Sequence, residues 1–223
     1  RFPERFSLHE ETPVKEIAFT PRPRITTAGG HAICAQTVVL CTNGFESLRL
    51  VGNAGTDLDR RFHAAVEGKI GYMAGYLAPP SPPTAVSYLE HGYEKNDAYV
   101  YMTRRPHGDT QTLVCWGGPD KDLPERERYF RHIPMAPEKE RELRQAVARL
   151  RPAERKKAFQ YRWHGLMGYT RHGVRLIGRD PREPHLFYNL GCNGVGILPS
   201  IYGGFRLAEI FQGKKLGKSM FDP

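Results

Sequence analysis

The feature that most constrains this sequence is a strand, a glycine-rich turn and a helix near its C terminus. Residues 186–190, Leu-Phe-Tyr-Asn-Leu, form an apolar run typical of a strand. Residues 191–196 read Gly-Cys-Asn-Gly-Val-Gly, and a helix is predicted over residues 197–211, ended by Gly213. The order predicts that a strand delivers the chain through a tight turn to a helix start.

Such a turn favours one kind of chemistry. Glycines let the backbone pass close to a ligand, and a helix N terminus offers unpaired N–H groups with a partial positive charge. An anion, or an oxygen that becomes anionic, is stabilised there. Glycine-rich turns also close tight packing without any ligand, so the turn alone leaves both interpretations open.

Two upstream runs predict further sheet structure. Residues 24–27 and 31–40 flank Ala28-Gly29-Gly30, and a Gly-Gly pair between two strand-like runs indicates a hairpin. The second run ends in Val38-Val39-Leu40-Cys41, which is typical of a strand buried on both faces, as in a parallel sheet.

The middle of the chain predicts an antiparallel sheet and one helix. Closely spaced strand candidates with polar turns between them favour antiparallel pairing. A helix is predicted over residues 137–150, because Pro137 suits the first helical position and Leu143, Val147 and Leu150 recur at helical spacing. The strand candidates are residues 62–78, 86–89, 98–103, 112–116 and 158–163.

Composition narrows the function classes. The 223 residues are 39% hydrophobic with a net charge of +9, an ordinary globular composition long enough for a buried core. The charge fits nucleic acid, an acidic substrate or an anionic cofactor. Lys and Arg are scattered and no nucleic-acid recognition motif accompanies them, so nucleic-acid binding is not expected. No apolar run approaches the ~20 residues that cross a bilayer, and no signal peptide is visible.

The four cysteines predict neither zinc nor disulfides. None belongs to a Cys-x-x-Cys pair, so no metal site is expected. Cys34, Cys41 and Cys115 lie in strand-like apolar stretches, which is typical of buried thiols. Cys192 lies in the glycine turn and is interpreted as a packing residue. The pattern fits a reducing, cytoplasmic location.

Four segments in order resemble the D-amino-acid-oxidase-like (DAO) family of FAD-dependent oxidoreductases. Residues 163–178, Trp-His-Gly-Leu-Met-Gly-Tyr-Thr-Arg-His-Gly-Val-Arg-Leu-Ile-Gly, are similar to the family's Trp, Gly, Thr and Ile-Gly pattern. Residues 203–213 are similar to the family's final helix, residues 38–44 to its "vVlATng" strand, and residues 11–14 to its "e.t.V" segment. Residues 60–160 match only in outline.

The resemblance implies a mixed α+β or α/β architecture. Residues 1–56 and 163–223 would belong to a Rossmann-like FAD-binding domain, and residues 57–162 would be an inserted substrate domain with an antiparallel sheet. The family's Gly-x-Gly-x-x-Gly fingerprint is missing and the chain opens Arg1-Phe2-Pro3 without Met. The chain is therefore expected to be the C-terminal part of a longer enzyme. It would be inactive until an N-terminal FAD-binding segment or a partner chain is supplied.

The resemblance also implies an activity. Family members remove a hydride from the carbon that bears a neutral amine and deliver it to flavin N5, after which the imine hydrolyses. Met167 stands where several members have the Arg that pairs with a substrate carboxylate, so the chain is closer to the amine-oxidising branch, of the γ-glutamylputrescine oxidase type. No Cys lies near Met167, so FAD is expected to be non-covalent. A non-catalytic flavoprotein module, or a subunit that needs a partner, remains the alternative.

The same resemblance implies candidate site residues. Those expected to be catalytic, facing the flavin, are His164, Met167 and Tyr169, with His164 either tuning substrate protonation or simply packed or exposed. Tyr99 and Tyr101, two positions apart on one strand, are expected to point the same way and could wall a pocket. The residues expected to contact FAD are Val14, Thr42, Asn43, Gly44, Gly191, Cys192, Asn193, Gly194, Val195, Gly196 and Ile197.

Overall fold

A computed structural model describes residues 3–42, 48–52, 55–58, 65–89, 99–124 and 129–223. Asn43 and Gly44, two of the residues expected to contact FAD, lie outside these ranges. The chain divides into two compact units, Arg1–Glu67 with Gly168–Pro223, and Gly68–Met167. We call them the first and the second unit. Whether they act as a FAD-binding domain and a substrate domain stays a prediction.

The first unit contains two small mixed sheets. The four-stranded sheet has the order β3-β2-β1-β5, in which β1 pairs antiparallel with β2 and parallel with β5. The three-stranded sheet has the order β11-β12-β4, in which β12 pairs antiparallel with β11 and parallel with β4. The strands are β1 (Val14–Ala18), β2 (Arg24–Thr27), β3 (Ala32–Cys34), β4 (Val38–Leu40), β5 (Arg49–Val51), β11 (Leu176–Arg179) and β12 (Leu186–Leu190).

The core of the first unit explains the parallel pairing. All five residues of β12 are buried, and Val38 and Leu40 of β4 are buried beside them. The run predicted at residues 38–41 does pair in parallel, as expected for a continuously apolar strand, but β4 ends at Leu40, Val39 is only partly buried and Cys41 is exposed. Ile17 and Phe19 join the same apolar cluster from the β1 region.

The second unit is built around one five-stranded sheet of order β10-β6-β9-β8-β7. The pairings of β6 with β9, β9 with β8 and β8 with β7 are antiparallel, as predicted. Trp116, on β9, is fully buried at the centre of the unit's apolar cluster. The strands are β6 (Val66–Ala78), β7 (Thr84–Leu89), β8 (Tyr99–His107), β9 (Gln111–Leu123) and β10 (Tyr161–Thr170).

Within the described residues, each unit contains one long α-helix. Helix α1, Pro137–Leu150, buries Leu143, Ala146 and Val147 in the second unit. Helix α2, Ile197–Phe211, buries Gly203, Arg206 and Leu207 in the first. Both helices have the bounds that the sequence predicts, because proline or glycine marks an end of each. A short 3₁₀ turn, Pro152–Glu154, follows α1.

Three predictions about local structure are wrong. Residues 31–40 form two strands in different sheets instead of one, because the chain leaves β3 at Cys34 and enters β4 at Val38. The strand expected at residues 158–163 begins at Tyr161 and continues to Thr170. Cys34 and Cys41 are exposed, although Cys115 is buried. Cys34 ends an edge strand whose residues are all exposed, and alternating apolar letters do not reveal an edge position.

Candidate functional site: the glycine turn and the start of helix α2

The glycine turn adopts a backbone that few residue types allow. Gly191 and Gly194 have φ of 89° and 77°, and Asn193 has φ of 48°. A Cβ on Gly191 would lie 2.6 Å from Cγ2 of Thr170. Positive φ and this close approach require glycine at position 191, and Asn is the residue besides glycine that best tolerates such a backbone. The residue types at positions 191 and 193 are therefore those that this backbone conformation requires.

The side chain of Asn193 holds the turn in place. Its Oδ1 accepts hydrogen bonds from Thr170 N at 2.8 Å and from Thr170 Oγ1 at 3.3 Å. Its Nδ2 donates to the carbonyl of Gly191 at 3.2 Å, and its backbone N–H donates to the carbonyl of Gly168 at 3.0 Å. These bonds occupy the amide, so the turn presents its backbone to a ligand while Asn193 fixes its shape.

The start of helix α2 is open. Gly196 occupies the cap position, and no side chain among the described residues makes a capping hydrogen bond there. The first turn of α2 contains no acidic residue. Gly194, Val195, Ile197 and Leu198 are exposed. The helix therefore presents unpaired N–H groups and a partial positive charge to whatever lies against this end.

Thr42 directly follows β4, the strand that pairs in parallel with β12. Its Oγ1 is buried, and no described residue provides that oxygen with a hydrogen-bond partner. A buried hydroxyl without a partner loses about 1–3 kcal/mol relative to a satisfied one. Both Thr42 and the glycine turn follow the carboxyl ends of these parallel strands, the edge at which open α/β sheets bind ligands.

Two residues that the sequence did not single out support the turn. Asn189, on β12, donates through Nδ2 to the carbonyl of Ser200 in α2 at 3.0 Å. Arg175 donates to Asn189 Oδ1 at 2.7 Å, to the carbonyl of Asn189 at 2.8 Å and to the carbonyl of Gly191 at 3.3 Å. Arg175 is 8% exposed. A lone charge inside the apolar run Val174–Ile177 was the available signal.

His164 lies in the second unit with both ring nitrogens engaged. Nε2 contacts the carbonyl of Ile133, which can only accept, so Nε2 carries a proton. Nδ1 lies 3.1 Å from the hydroxyl of Tyr129, whose ring meets the imidazole edge-on. Burial is the main cause that raises the pKa of Tyr129, so this phenol stays protonated at neutral pH. These contacts fit the packed interpretation of His164.

Met167 and Tyr169 occupy different surroundings. Met167 is half-buried and covers Gly71 of β6, where an added Cβ would lie 2.6 Å from the methionine methyl group. It faces away from His164, since residues three apart on β10 point to opposite faces. Tyr169 is half-buried in the first unit.

The remaining candidates are accounted for as follows. Tyr99 and Tyr101 point the same way, with ring centroids 5.8 Å apart, as predicted. Tyr101 packs on Gly117, and burial is the main cause that raises its pKa. Val14 begins β1, is half-buried and packs against the core of the first unit.

The described residues contain neither a cluster of metal ligands nor a helix that could cross a bilayer. No group of three or more His, Cys, Asp or Glu is placed to hold a metal ion within those residues. Among the described residues, no helix has the length and apolar composition needed to cross a bilayer.

Known proteins share the fold of this chain. The family model for FAD-dependent oxidoreductases, DAO, matches residues 6–210. Glycine oxidase from Geobacillus kaustophilus superposes with a TM-score of 0.66 at 20% identity, over 97% of this chain and 52% of that one. Fructosyl amine:oxygen oxidoreductase from Aspergillus fumigatus superposes with a TM-score of 0.64 at 17% identity, over 94% of this chain and 48% of that one. L-proline dehydrogenase from P. horikoshii superposes with a TM-score of 0.63 at 18% identity, over 97% of this chain and 54% of that one.

These likenesses have a common limit. The identities, 14–20% for the structures compared, establish a shared fold. The chain spans about half the length of each solved structure named above. A comparison with curated protein sequences found no significant match.

Proposed function

Because the chain belongs to the DAO family of FAD-dependent oxidoreductases, we propose that it supplies the flavin-closing half of an enzyme that oxidises a C–N bond of an amine or amino acid. The observation that carries the proposal is the exposed glycine turn leading into the uncapped start of α2. The names of the superposed structures, a glycine oxidase, a fructosyl amine oxidoreductase and a proline dehydrogenase, support the class of substrate.

The residues present fit a flavin. When bound, FAD supplies a hydride acceptor at N5. The N–H groups at the start of α2 favour negative charge on the ligand, and the Thr42 hydroxyl gains the partner it lacks among the described residues. Gly191, Gly194 and Gly196 let the ligand approach the backbone. The other residues proposed to contact FAD in this segment are Cys192, Asn193, Val195 and Ile197. Upstream, they are Val14 and the residues Thr42, Asn43 and Gly44.

The catalytic candidates Met167 and Tyr169 are proposed to lie on the substrate side. His164 points to the opposite face of β10 from Met167, where Ile133 and Tyr129 contact both its ring nitrogens, and it is proposed to pack there instead of moving a proton. Met167 offers an apolar, polarisable thioether where a carboxylate-binding Arg would stand, which favours amines over amino acids. Removing hydride from a neutral amine needs positioning and water exclusion more than a strong base.

The exposed face of α2 is proposed to dock the polypeptide that supplies the other half of the family fold. Ile197, Leu198 and Phe205 are 77%, 78% and 70% exposed, and Ile201 is 54% exposed between them. Contiguous apolar surface of this kind marks an interaction site. The structures that superpose on nearly all of this chain are about twice as long, so the fold contains a further half to cover it. This half is either a preceding segment of the same polypeptide or a partner chain.

The proposal is tested on protein produced from its complete open reading frame. We expect bound FAD, visible in its absorption bands, that is bleached anaerobically by a neutral amine from a panel of amines and amino acids. Thr42→Val should weaken FAD binding, whereas Thr42→Ser should retain it. Flavin that no amine or amino acid bleaches would favour a non-catalytic module. Protein without flavin would contradict the proposal.

A further inference from the structure

Arg175 is a buried cation whose hydrogen-bond partners, among the described residues, are neutral groups. Its guanidinium donates to the side-chain and main-chain oxygens of Asn189 and to the carbonyl of Gly191. Within the described part of the chain, none of its hydrogen-bond partners is a carboxylate. Burial lowers the pKa of Arg175 from its usual value, yet a guanidinium stays charged at neutral pH. The first unit therefore contains a positive charge in a region of low dielectric without a counter-charge in its hydrogen bonds.

The position of this charge is informative. Arg175 interacts electrostatically with Cys41 and with Cys192, and these cysteines directly precede Thr42 and Asn193. The guanidinium thus contacts the glycine turn directly, through the carbonyl of Gly191, and its charge also acts on Cys41, the residue before Thr42. Cys41 is exposed as a residue, but partial desolvation of its thiol is the larger influence and raises its pKa, while Arg175 lowers it. At neutral pH Cys41 therefore stays a neutral thiol and does not balance the guanidinium.

We propose that Arg175 tunes the flavin electrostatically, its buried charge favouring the reduced cofactor over the oxidised one. The inference rests on the proposed function. In that reaction the substrate C–H bond breaks, its electron pair and hydrogen form the N5–H bond, and the flavin gains one negative charge. A fixed positive charge nearby stabilises the product of this step and leaves the neutral oxidised ring almost unaffected. Arg175 acts through space and through the Gly191 carbonyl, without a bond to the reacting atoms.

The test compares three variants of the flavin-loaded protein by anaerobic redox titration. Arg175→Gln removes the charge but keeps an amide donor, and it should lower the preference for reduced over oxidised flavin by roughly tenfold. Arg175→Lys keeps the charge and should retain most of that preference. Arg171→Gln, which removes an exposed charge from the neighbouring turn, is the matched control and should change it little.

Each outcome decides the matter. Equal preferences in wild type and Arg175→Gln would overturn the inference, as would loss of flavin from both Arg175 variants, which would assign Arg175 to folding alone. If only Arg175→Gln loses flavin, Cys41→Asp repeats the test with the hydrogen bonds of Arg175 intact. The added carboxylate should lower the preference, and an unchanged preference would overturn the inference. A wild-type protein that never takes up FAD would refute the proposed function and this inference together.

Discussion

Helices α1 and α2 are of similar length and both end on glycine or proline signals, but their outer faces differ. The outer face of α1 is charged and paired, with Glu140 lying 2.6 Å from Arg144 on the same helix and 2.7 Å from Arg162 on β10. The outer face of α2 is apolar from Ile197 to Phe205. Both inner faces are buried, since α1 inserts Leu143 into the core of the second unit and α2 packs Leu207 against Ile177 and Phe187 in the first.

The difference indicates what each helix is adapted to. A charged, paired face is stable in water and needs no cover, whereas an apolar face of this size is stabilised only when something covers it. Gly203 brings α2 close to Asn189, which also accepts a bond from Arg175, so the helix start is held at a fixed place on the sheet. Helix α1 completes its unit, whereas α2 fits the proposal that it positions the flavin site and leaves a surface for the other half of the family fold.

The largest expected effect is at the apolar face of α2. Phe205→Ala should change the unfolding free energy of the chain alone by less than about 0.5 kcal/mol, because the ring is exposed. In the complete protein, where the other half of the family fold is proposed to cover the ring, the same change should cost about 3 kcal/mol, the usual loss for a buried ring. Urea unfolding of the chain alone and of the complete protein measures the two values. Arg141→Ala on α1 is the control, and its loss of unfolding free energy should be small in both proteins. An equally small loss for Phe205→Ala in both would contradict the docking surface.

Leu143→Ala should weaken the second unit. Leu143 is fully buried in the core, and its truncation should cost about 3 kcal/mol of unfolding free energy in the chain alone. Gln145→Ala, at an exposed position of the same helix, should change stability by less than about 0.5 kcal/mol. Chemical denaturation followed by circular dichroism compares them. Equal effects would mean that α1 does not complete the core.

Gly203→Ala and Gly204→Ala should have opposite signs. A Cβ at Gly203 would lie 2.4 Å from Oδ1 of Asn189, so Gly203→Ala should destabilise by about 2 kcal/mol. Gly204 has no neighbour within 4 Å of an added Cβ, so Gly204→Ala should stabilise the helix by up to about 1 kcal/mol. Thermal melting of the two variants gives the sign. Two stabilised proteins would show that the close contact with Asn189 does not form.

The smallest effect concerns the paired face of α1. Hydrogen bonds from Arg162, followed by Arg144, lower the pKa of Glu140 to about 2. A carboxyl whose pKa is lower in the folded protein stabilises the fold above its ordinary pKa, and that contribution is lost as pH falls toward 2. Glu140→Gln should cost less than about 1 kcal/mol at pH 7, since the pairs are partly exposed. The cost should shrink below pH 4, and a pH-independent difference in urea unfolding would contradict this assignment.

Local signals predicted some elements well and others poorly. Helices α1 and α2 and strand β12 have the bounds that proline, glycine and apolar spacing indicate. The split of residues 31–40 was missed, because the break at residues 35–37 is set by which sheet each half joins, a tertiary property. The glycine turn was found from its composition. Arg175 was not, since a single charge in an apolar run does not reveal which distant carbonyls it meets.

The glycine turn and the start of α2 are proposed to close over a flavin. Hydrogen exchange with mass spectrometry, on flavin-loaded and flavin-free protein from the complete open reading frame, tests it directly. We predict slower amide exchange over residues 192–198 and beside Thr42 when FAD is bound, with α1 unchanged. Exchange that is unaltered at residues 192–198, with protection elsewhere in the chain, would contradict the claim.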